Sequence, residues 1–269
     1  MTGATANLLR TDTLGNTLAG VSVTSGGVLD SVDSTIQNND DGGLSVVGAT
    51  ANLLRTKVLD NDRNYGGGIY MESGASVTAS DSLIKGNQGW VQGAGVYLRT
   101  GSVFSAVNET GIERNRTVMG CDDGGGIAAI GIGTEVIIDA SQVVSNTALH
   151  RGGGLYLAGG ASATLQNGSL VQENGAYGPV TGAGGGAHLT DGSTLHVDGG
   201  WFYQNWSDPY GGGIYADLGS TVQIANTWFY ANESRDSGGG IYNNGGQVTC
   251  RGCFFYLNRV VDYHGGAIS

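Results

Sequence analysis

Two carboxylates pose the first question about chemistry. Asp139 and Asp198 each stand seven residues before an asparagine, Asn146 and Asn205, in otherwise similar stretches. If those stretches are strands two layers apart, their backbones lie about 9–10 Å from each other, near the carboxyl separation of inverting glycosidases. Such chemistry also needs a dense group of Asp, His and Lys or Arg around the pair. The equivalent places elsewhere hold Asn108, Asn167, Ala225 and Arg251, and the nearest base in sequence is His196. The column therefore reads as a solvated polar strand face, with Asp139 and Asp198 as the catalytic alternative.

Aromatic residues offer binding rather than catalysis. Tyr70, Tyr97, Tyr156, His188, Tyr215 and Tyr242 share one place in the chain's pattern, with Ala128 interrupting them. Each follows an aliphatic residue, so if the aliphatics point inward the rings form an outward strip. That strip suits stacking against sugars or a partner's apolar surface, or simply stabilises a sheet by cross-strand stacking. A variable link precedes each glycine cluster and gathers Tyr65, Trp90, Cys121, Asp122, Asp123, His150, Arg151 and Tyr177. Further on it carries Trp206, Asp208, Tyr210, Arg235, Asp236, Tyr263 and His264. In solenoids such insertions fall on one edge, which often binds. Trp90, Trp206 and Tyr210 are the ligand candidates there.

Metal and cofactor chemistry finds little support, and none is expected. The calcium nonapeptide is absent, and Asp122-Asp123 alone is a poor Ca²⁺ site. Cys250-Arg251-Gly252-Cys253 is a lone C-x-x-C without a second pair, which disfavours zinc. Cys250 falls in the column of Ile224 and Val197, a core position. In an extended strand the two Cα atoms sit about 10 Å apart, beyond disulfide range unless the chain bends. Sequons occur at Asn108, Asn115, Asn167, Asn205 and Asn232, but three of these asparagines belong to the ladder described next.

The positioning elements follow from a repeat. Asn16, Asn39, Asn61, Asn87, Asn115, Asn146, Asn174, Asn205, Asn232 and Asn258 are spaced 22 to 31 residues apart. Three residues before all but the first stand Ile36, Val58, Ile84, Ile112, Val143, Val171, Phe202, Phe229 and Phe255. A glycine cluster follows in the same rhythm. Segments such as Thr221-Val222-Gln223-Ile224 alternate apolar and polar, which is strand periodicity, and no amphipathic helix is visible. A unit of two or three short strands cannot bury its own apolar face, so units must stack. The expected fold is all-β, a right-handed, single-stranded parallel β-helix of about ten coils of 22–32 residues. Stacking at about 4.8 Å lets each asparagine amide bond its neighbour, and glycines serve the corners.

Residues 1–269 then form one solenoid, with short coils over 1–64 and longer coils with Gly-Gly-Gly corners over 65–269. Gly3 to Thr11 returns identically as Gly48 to Thr56. With no signal peptide read at Met1, the chain is expected to be a fragment of a longer protein. Composition agrees with a packed solenoid: 51 glycines lack a three-residue period, and the apolar fraction is 39%. A net charge of −11 disfavours nucleic acid. No apolar run approaches a membrane span.

Phe202 to Asn205, Phe229 to Asn232, Phe255 to Asn258 and Gly265-Gly266-Ala267-Ile268 resemble the repeat of chlamydial polymorphic outer membrane proteins and related bacterial surface β-helix proteins. The resemblance implies an extracellular or cell-surface passenger, adhesin-like or a stalk. Its partners would be a glycan, a host or neighbouring-cell surface protein, or further solenoid domains of the same chain. Most units here read Gly-Gly-Gly rather than Gly-Gly-Ala. Two alternatives stand beside that expectation: a polysaccharide hydrolase or lyase of the pectin-lyase-like class, and a purely structural rod.

Overall fold

The computed structural model describes residues 3–119, 123–178, 182–263 and 265–269. Every assigned element among them is a strand, and every strand pairing is parallel apart from one isolated bridge between Asp217 and Gly245. The backbone winds as a solenoid whose successive coils pair in register.

Three sheets wrap the core. One contains nine strands among the described residues, from Val21–Thr24 through Ile69–Glu72 and Leu155–Ala158 to Ile241–Asn244; it carries the tyrosines and is called the tyrosine sheet. The long sheet receives two segments from each early coil, such as Ser76–Ser80 and Leu83–Lys85. In later coils these fuse into single strands, Ser162–Gln172, Thr194–Tyr203 and Thr221–Tyr230. A narrow sheet, from Asp62–Tyr65 to Arg259–Val260, follows each ladder asparagine from Asn61 onward. Alternation sends Ile69, Met71, Val77, Ile84, Phe104 and Phe229 inward to full burial. Phe202, Phe229 and Phe255 stack along the axis with centroids 5.0 and 4.8 Å apart.

All ten predicted asparagines form one ladder. Each side-chain Nδ2 except that of Asn258, the last rung, donates to Oδ1 of the asparagine in the next coil at 2.8–3.0 Å. From Asn39 onward each Nδ2 also donates to a backbone carbonyl one coil back, Ile36 for Asn61 and Phe202 for Asn232. The Oδ1 additionally accepts the backbone N–H of the preceding rung, so the polar groups of the bend are paired without water. Glycine is required opposite: a Cβ on Gly154 would lie 2.5 Å from the carbonyl oxygen of Gly186 and 3.1 Å from the Asn174 amide carbon. Gly152, which opens that corner, has a φ of +64°.

A second ladder, of hydroxyls, was not anticipated. The N–H groups of Thr56, Ser82 and Thr110 donate to the hydroxyls of Ser82, Thr110 and Ser141 at 3.1–3.2 Å. It satisfies the bend between the two segments of the long sheet.

Two expectations need correction. The column of Asp139 contains Gln166, Asp198, Ala225 and Arg251, but not Asn167. A bulge between Gln166 and Ser169 inserts a residue, so counting back from the ladder slips by one. Asn108 likewise sits in a turn, at φ +51°, beyond the strand Val103–Val107. Secondly, Cys250 and Cys253 form a disulfide with Cα atoms 5.9 Å apart. Cys250 does pair with Ile224, but Gly252 turns the chain at φ +62° and brings the sulfurs together. Cys250 is exposed in the last coil rather than buried.

Candidate functional site

The structure joins the two aromatic regions that the sequence presents separately. The link residue before each glycine corner forms its own parallel bridges, Gln92 with Asp123, Arg151 with Ala183 and Tyr210 with Ser237. The links thereby fold over the outer face of the tyrosine sheet. Tyr65 packs on Tyr97 at 5.1 Å and Tyr210 on Tyr242 at 4.8 Å. The expected open strip is therefore roofed in its middle: Tyr97, Tyr156 and His188 are only 4, 5 and 2% exposed. Tyr70, Tyr215 and Tyr242 remain half-buried.

The rings lie face to face along the axis. Tyr70 stacks on Tyr97, and beyond Ala128 a second run continues through Tyr156, His188, Tyr215 and Tyr242. Stacked in this way, the rings spend their faces on one another and offer only edges outward. The stacking role is thus realised, and face-on sugar contact along the strip is blocked.

At Ala128 a charged cluster takes the missing ring's place. His188 covers one face of Tyr156, so the Arg151 guanidinium, 5.2 Å from that ring's centre, must cover the face toward Ala128. Arg151 grips the Asp123 carboxylate with two bonds of 3.1 Å, and His150 Nδ1 lies 2.9 Å from it. Burial pushes the Asp123 pKa up, but His150 and Arg151 outweigh that and hold it below the usual carboxylate value. Burial, with Asp123 nearby, pushes the Tyr156 phenol up.

One coil further, the roof leaves a cleft of about 330 Å³ lined by His150, Arg151, His188, Tyr210, Tyr215 and Asp217. His188 is held neutral by burial, its pKa pushed down to about 3. Neither of its ring nitrogens has a hydrogen-bond partner among the described residues. Tyr215 is pushed up to about 12 by burial and by Asp217.

The remaining candidates lie apart from this cleft. Trp90 is half-exposed and donates its indole N–H to Asp62. Trp206 packs against Tyr177 at 4.7 Å on the narrow sheet. Asp139 accepts the amides of Gln166 and Asn167 at 3.0 and 2.6 Å, and Gln166 occupies the layer between it and Asp198. Asp198 is itself bonded by Asn226 at 3.1 Å. The sequon residues Asn115, Asn205 and Asn232 are fully buried in the ladder, whereas Asn108 and Asn167 are exposed. Cys121, Asp122 and His264 lie outside the described residues. Among the described residues no His, Cys, Asp and Glu group is placed to hold a metal, and no helix is long and apolar enough to cross a membrane.

A second aromatic surface escaped the sequence reading. On the outside of the long sheet Trp201, Trp228 and Phe254 stack at 5.2 and 4.4 Å and stay 42, 37 and 51% exposed. Two residues along, Tyr203, Tyr230 and Tyr256 run beside them at 5.2 and 5.6 Å. The stack ends at Trp201, because the residue paired with it in the coil before is Leu170. There a groove of about 450 Å³ opens, lined by Gly168, Leu170, Trp201, Tyr203 and Tyr230. The signal was present: if Phe202 and Phe229 point inward, their neighbours on both sides must point outward.

These features define a parallel β-solenoid with a roofed cleft on one face and an exposed aromatic surface on another. The family model described as a right handed beta helix region matches residues 19–202 and 112–268, so the chain belongs to the right-handed β-helix family. No curated protein and no solved structure matches the chain significantly.

Proposed function

We propose that this chain is a non-catalytic, cell-surface β-helix that binds a glycan along the aromatic face of its long sheet. The observation that carries the reading is the double file of Trp201, Trp228 and Phe254 beside Tyr203, Tyr230 and Tyr256. Six aromatic side chains grouped on the outside of a sheet are what an interaction surface looks like, since isolated folds seldom leave so much apolar area together. Tryptophan and tyrosine suit sugars because they pair an apolar body with a polar tip. The groove beside Trp201, where the stack stops, supplies the ring face that the stack itself consumes. A net charge of −11 favours a neutral polymer over an anionic one.

Other features support the setting. The Cys250–Cys253 disulfide suits an oxidising compartment. The Phe-x-x-Asn and Gly-Gly-Ala-Ile resemblance to bacterial surface β-helix proteins points the same way. Asp139 and Asp198 are engaged by amides, which favours a binding face over a polysaccharide hydrolase or lyase.

Affinity electrophoresis against neutral and uronate polysaccharides tests the reading. The double substitution Trp201→Ala/Trp228→Ala is expected to weaken binding by roughly tenfold, the loss of the Trp201 face and the Trp228 edge amounting to about 1.4 kcal/mol together, with folding intact. Unchanged binding by that variant removes the aromatic face. New reducing ends or unsaturated products from a uronate polymer would make the protein an enzyme instead.

A further inference from the structure

We infer that the cleft beneath the links is a second, separate sugar subsite, which takes a single neutral, hydroxyl-rich ring in contact with His188. This deepens the glycan reading to a second contact, although the two surfaces share no residue.

The starting point is an unpaired buried group. His188 is 2% exposed, and both ring nitrogens lack a partner among the described residues. Buried polar atoms are hydrogen-bonded as a rule, and an exception calls for a missing partner. The ring faces are closed, by Tyr156 at 5.7 Å and by Tyr215 at 4.6 Å. A partner must therefore approach in the ring plane from the cleft that His188 lines, and because neither nitrogen is open to solvent, the lining must give way slightly to admit it.

The lining fixes the chemistry. A neutral imidazole presents one donor and one acceptor, which a hydroxyl group can match in either sense. Asp217 adds a carboxylate acceptor, already partly used by the N–H of Leu218 at 2.9 Å and by Asn244 at 3.0 Å. Arg151 brings a positive charge, but Asp123 holds it. With Asp217 uncompensated, the cleft disfavours an anion. Tyr210 and Tyr215 contribute apolar ring surface for the carbon face of a sugar. About 330 Å³ lies at the small end of ligand pockets and fits one sugar unit rather than a chain.

The test follows the His188 ring nitrogens by NMR in the full chain while glucose, galactose, mannose or N-acetylglucosamine is titrated. The expected result is a saturable shift of the His188 resonances with at least one of these sugars, and a much weaker response to glucuronate. His188→Phe keeps the stack and removes both nitrogens. It should weaken binding of the responding sugar by about fivefold or more, the loss of one or two hydrogen bonds. Tyr210→Ala removes a wall from the links rather than the sheet, and should weaken it as well. Trp201→Ala/Trp228→Ala should leave this titration unchanged, so failure here is distinct from failure of the aromatic face. No shift with any neutral sugar would overturn the proposal. Equal affinity in His188→Phe and Tyr210→Ala would overturn it too.

Discussion

Replacing Asn146 by alanine tests how the solenoid holds its bend. The wild-type amide makes four side-chain hydrogen bonds. Its Oδ1 accepts the backbone N–H and the Nδ2–H of Asn115, both at 3.0 Å. Its Nδ2 donates to the Ile112 carbonyl at 2.8 Å and to Asn174 Oδ1 at 3.0 Å. Alanine strands the two Asn115 donors and deprives the Ile112 carbonyl of this donor. Asn174 Oδ1 keeps a partner, because the Asn146 backbone N–H still reaches it at 3.0 Å. Asn115 and Asn146 are 0% exposed, so the stranded groups have no water. At about 1–3 kcal/mol for each unsatisfied buried group, the expected loss is roughly 3–5 kcal/mol after partial relaxation. Asn16→Ala is the control. Asn16 is exposed, and Asn39 Oδ1 keeps its bond from the Asn16 backbone N–H. Its loss should stay within about 0.5 kcal/mol.

The assay is urea unfolding combined with hydrogen exchange read coil by coil. Because each repeat touches chiefly its neighbours, the damage should be local. A loss of about 3 kcal/mol corresponds to exchange roughly a hundredfold faster at the Asn115 and Asn146 corners. Coils near Asn39 and Asn232 should be nearly unaffected. If Asn146→Ala unfolds within about 0.5 kcal/mol of Asn16→Ala, the ladder is ornament and the reasoning fails.

Phe229→Ala should cost about 3–5 kcal/mol, because the ring is fully buried between Phe202 and Phe255; Trp228→Ala, one residue away on the outer face, should cost well under half as much. Asp123→Asn should cost about 2 kcal/mol near neutral pH by weakening the grip of Arg151 and His150. Since the folded carboxyl titrates below its ordinary value of 3.8, the stabilisation is present above that pH and lost as pH falls further. Wild-type and Asp123→Asn unfolding curves should therefore converge as the pH falls into acid, and a gap that does not narrow contradicts the assignment. Ala128→Tyr would continue the ring stack but displace the Arg151 guanidinium, at about 1–3 kcal/mol. Combined with Arg151→Ala its effect should be less than additive in thermal or urea unfolding.

Much of this fold is legible in the sequence because a ladder is a demand repeated once per coil. Asn87 or Val143 can be placed by counting, since each sits where the geometry accepts almost nothing else. The hydroxyl ladder through Ser82, Thr110 and Ser141 obeys the same logic, but mixes residue types and is harder to see. Counting fails where the period changes. The bulge before Ser169 moves Asn167 out of the Asp139 column, and Gly252 bends a stretch that looks extended. The roof is invisible for a different reason. Link residues such as Tyr65 and Tyr210 follow no period, and only the fold puts them on Tyr97 and Tyr242. So a column that alternation assigns to solvent is buried instead.

The positions that matter for binding are then those where the stack is interrupted. A continuous column of rings satisfies itself: each face meets a face, and only edges are left for a ligand. Ala128 breaks one column, and the opening is filled by Arg151 and Asp123. His188 replaces a tyrosine in the same column, keeps the stacking, and brings two nitrogens that nothing among the described residues satisfies. Leu170 starts the outer column below Trp201, and a groove opens at that step. Regularity builds the rod. Recognition is expected at Trp201 and His188, where one residue departs from its column and leaves an aromatic face or a polar edge unpaired beside a groove or cleft.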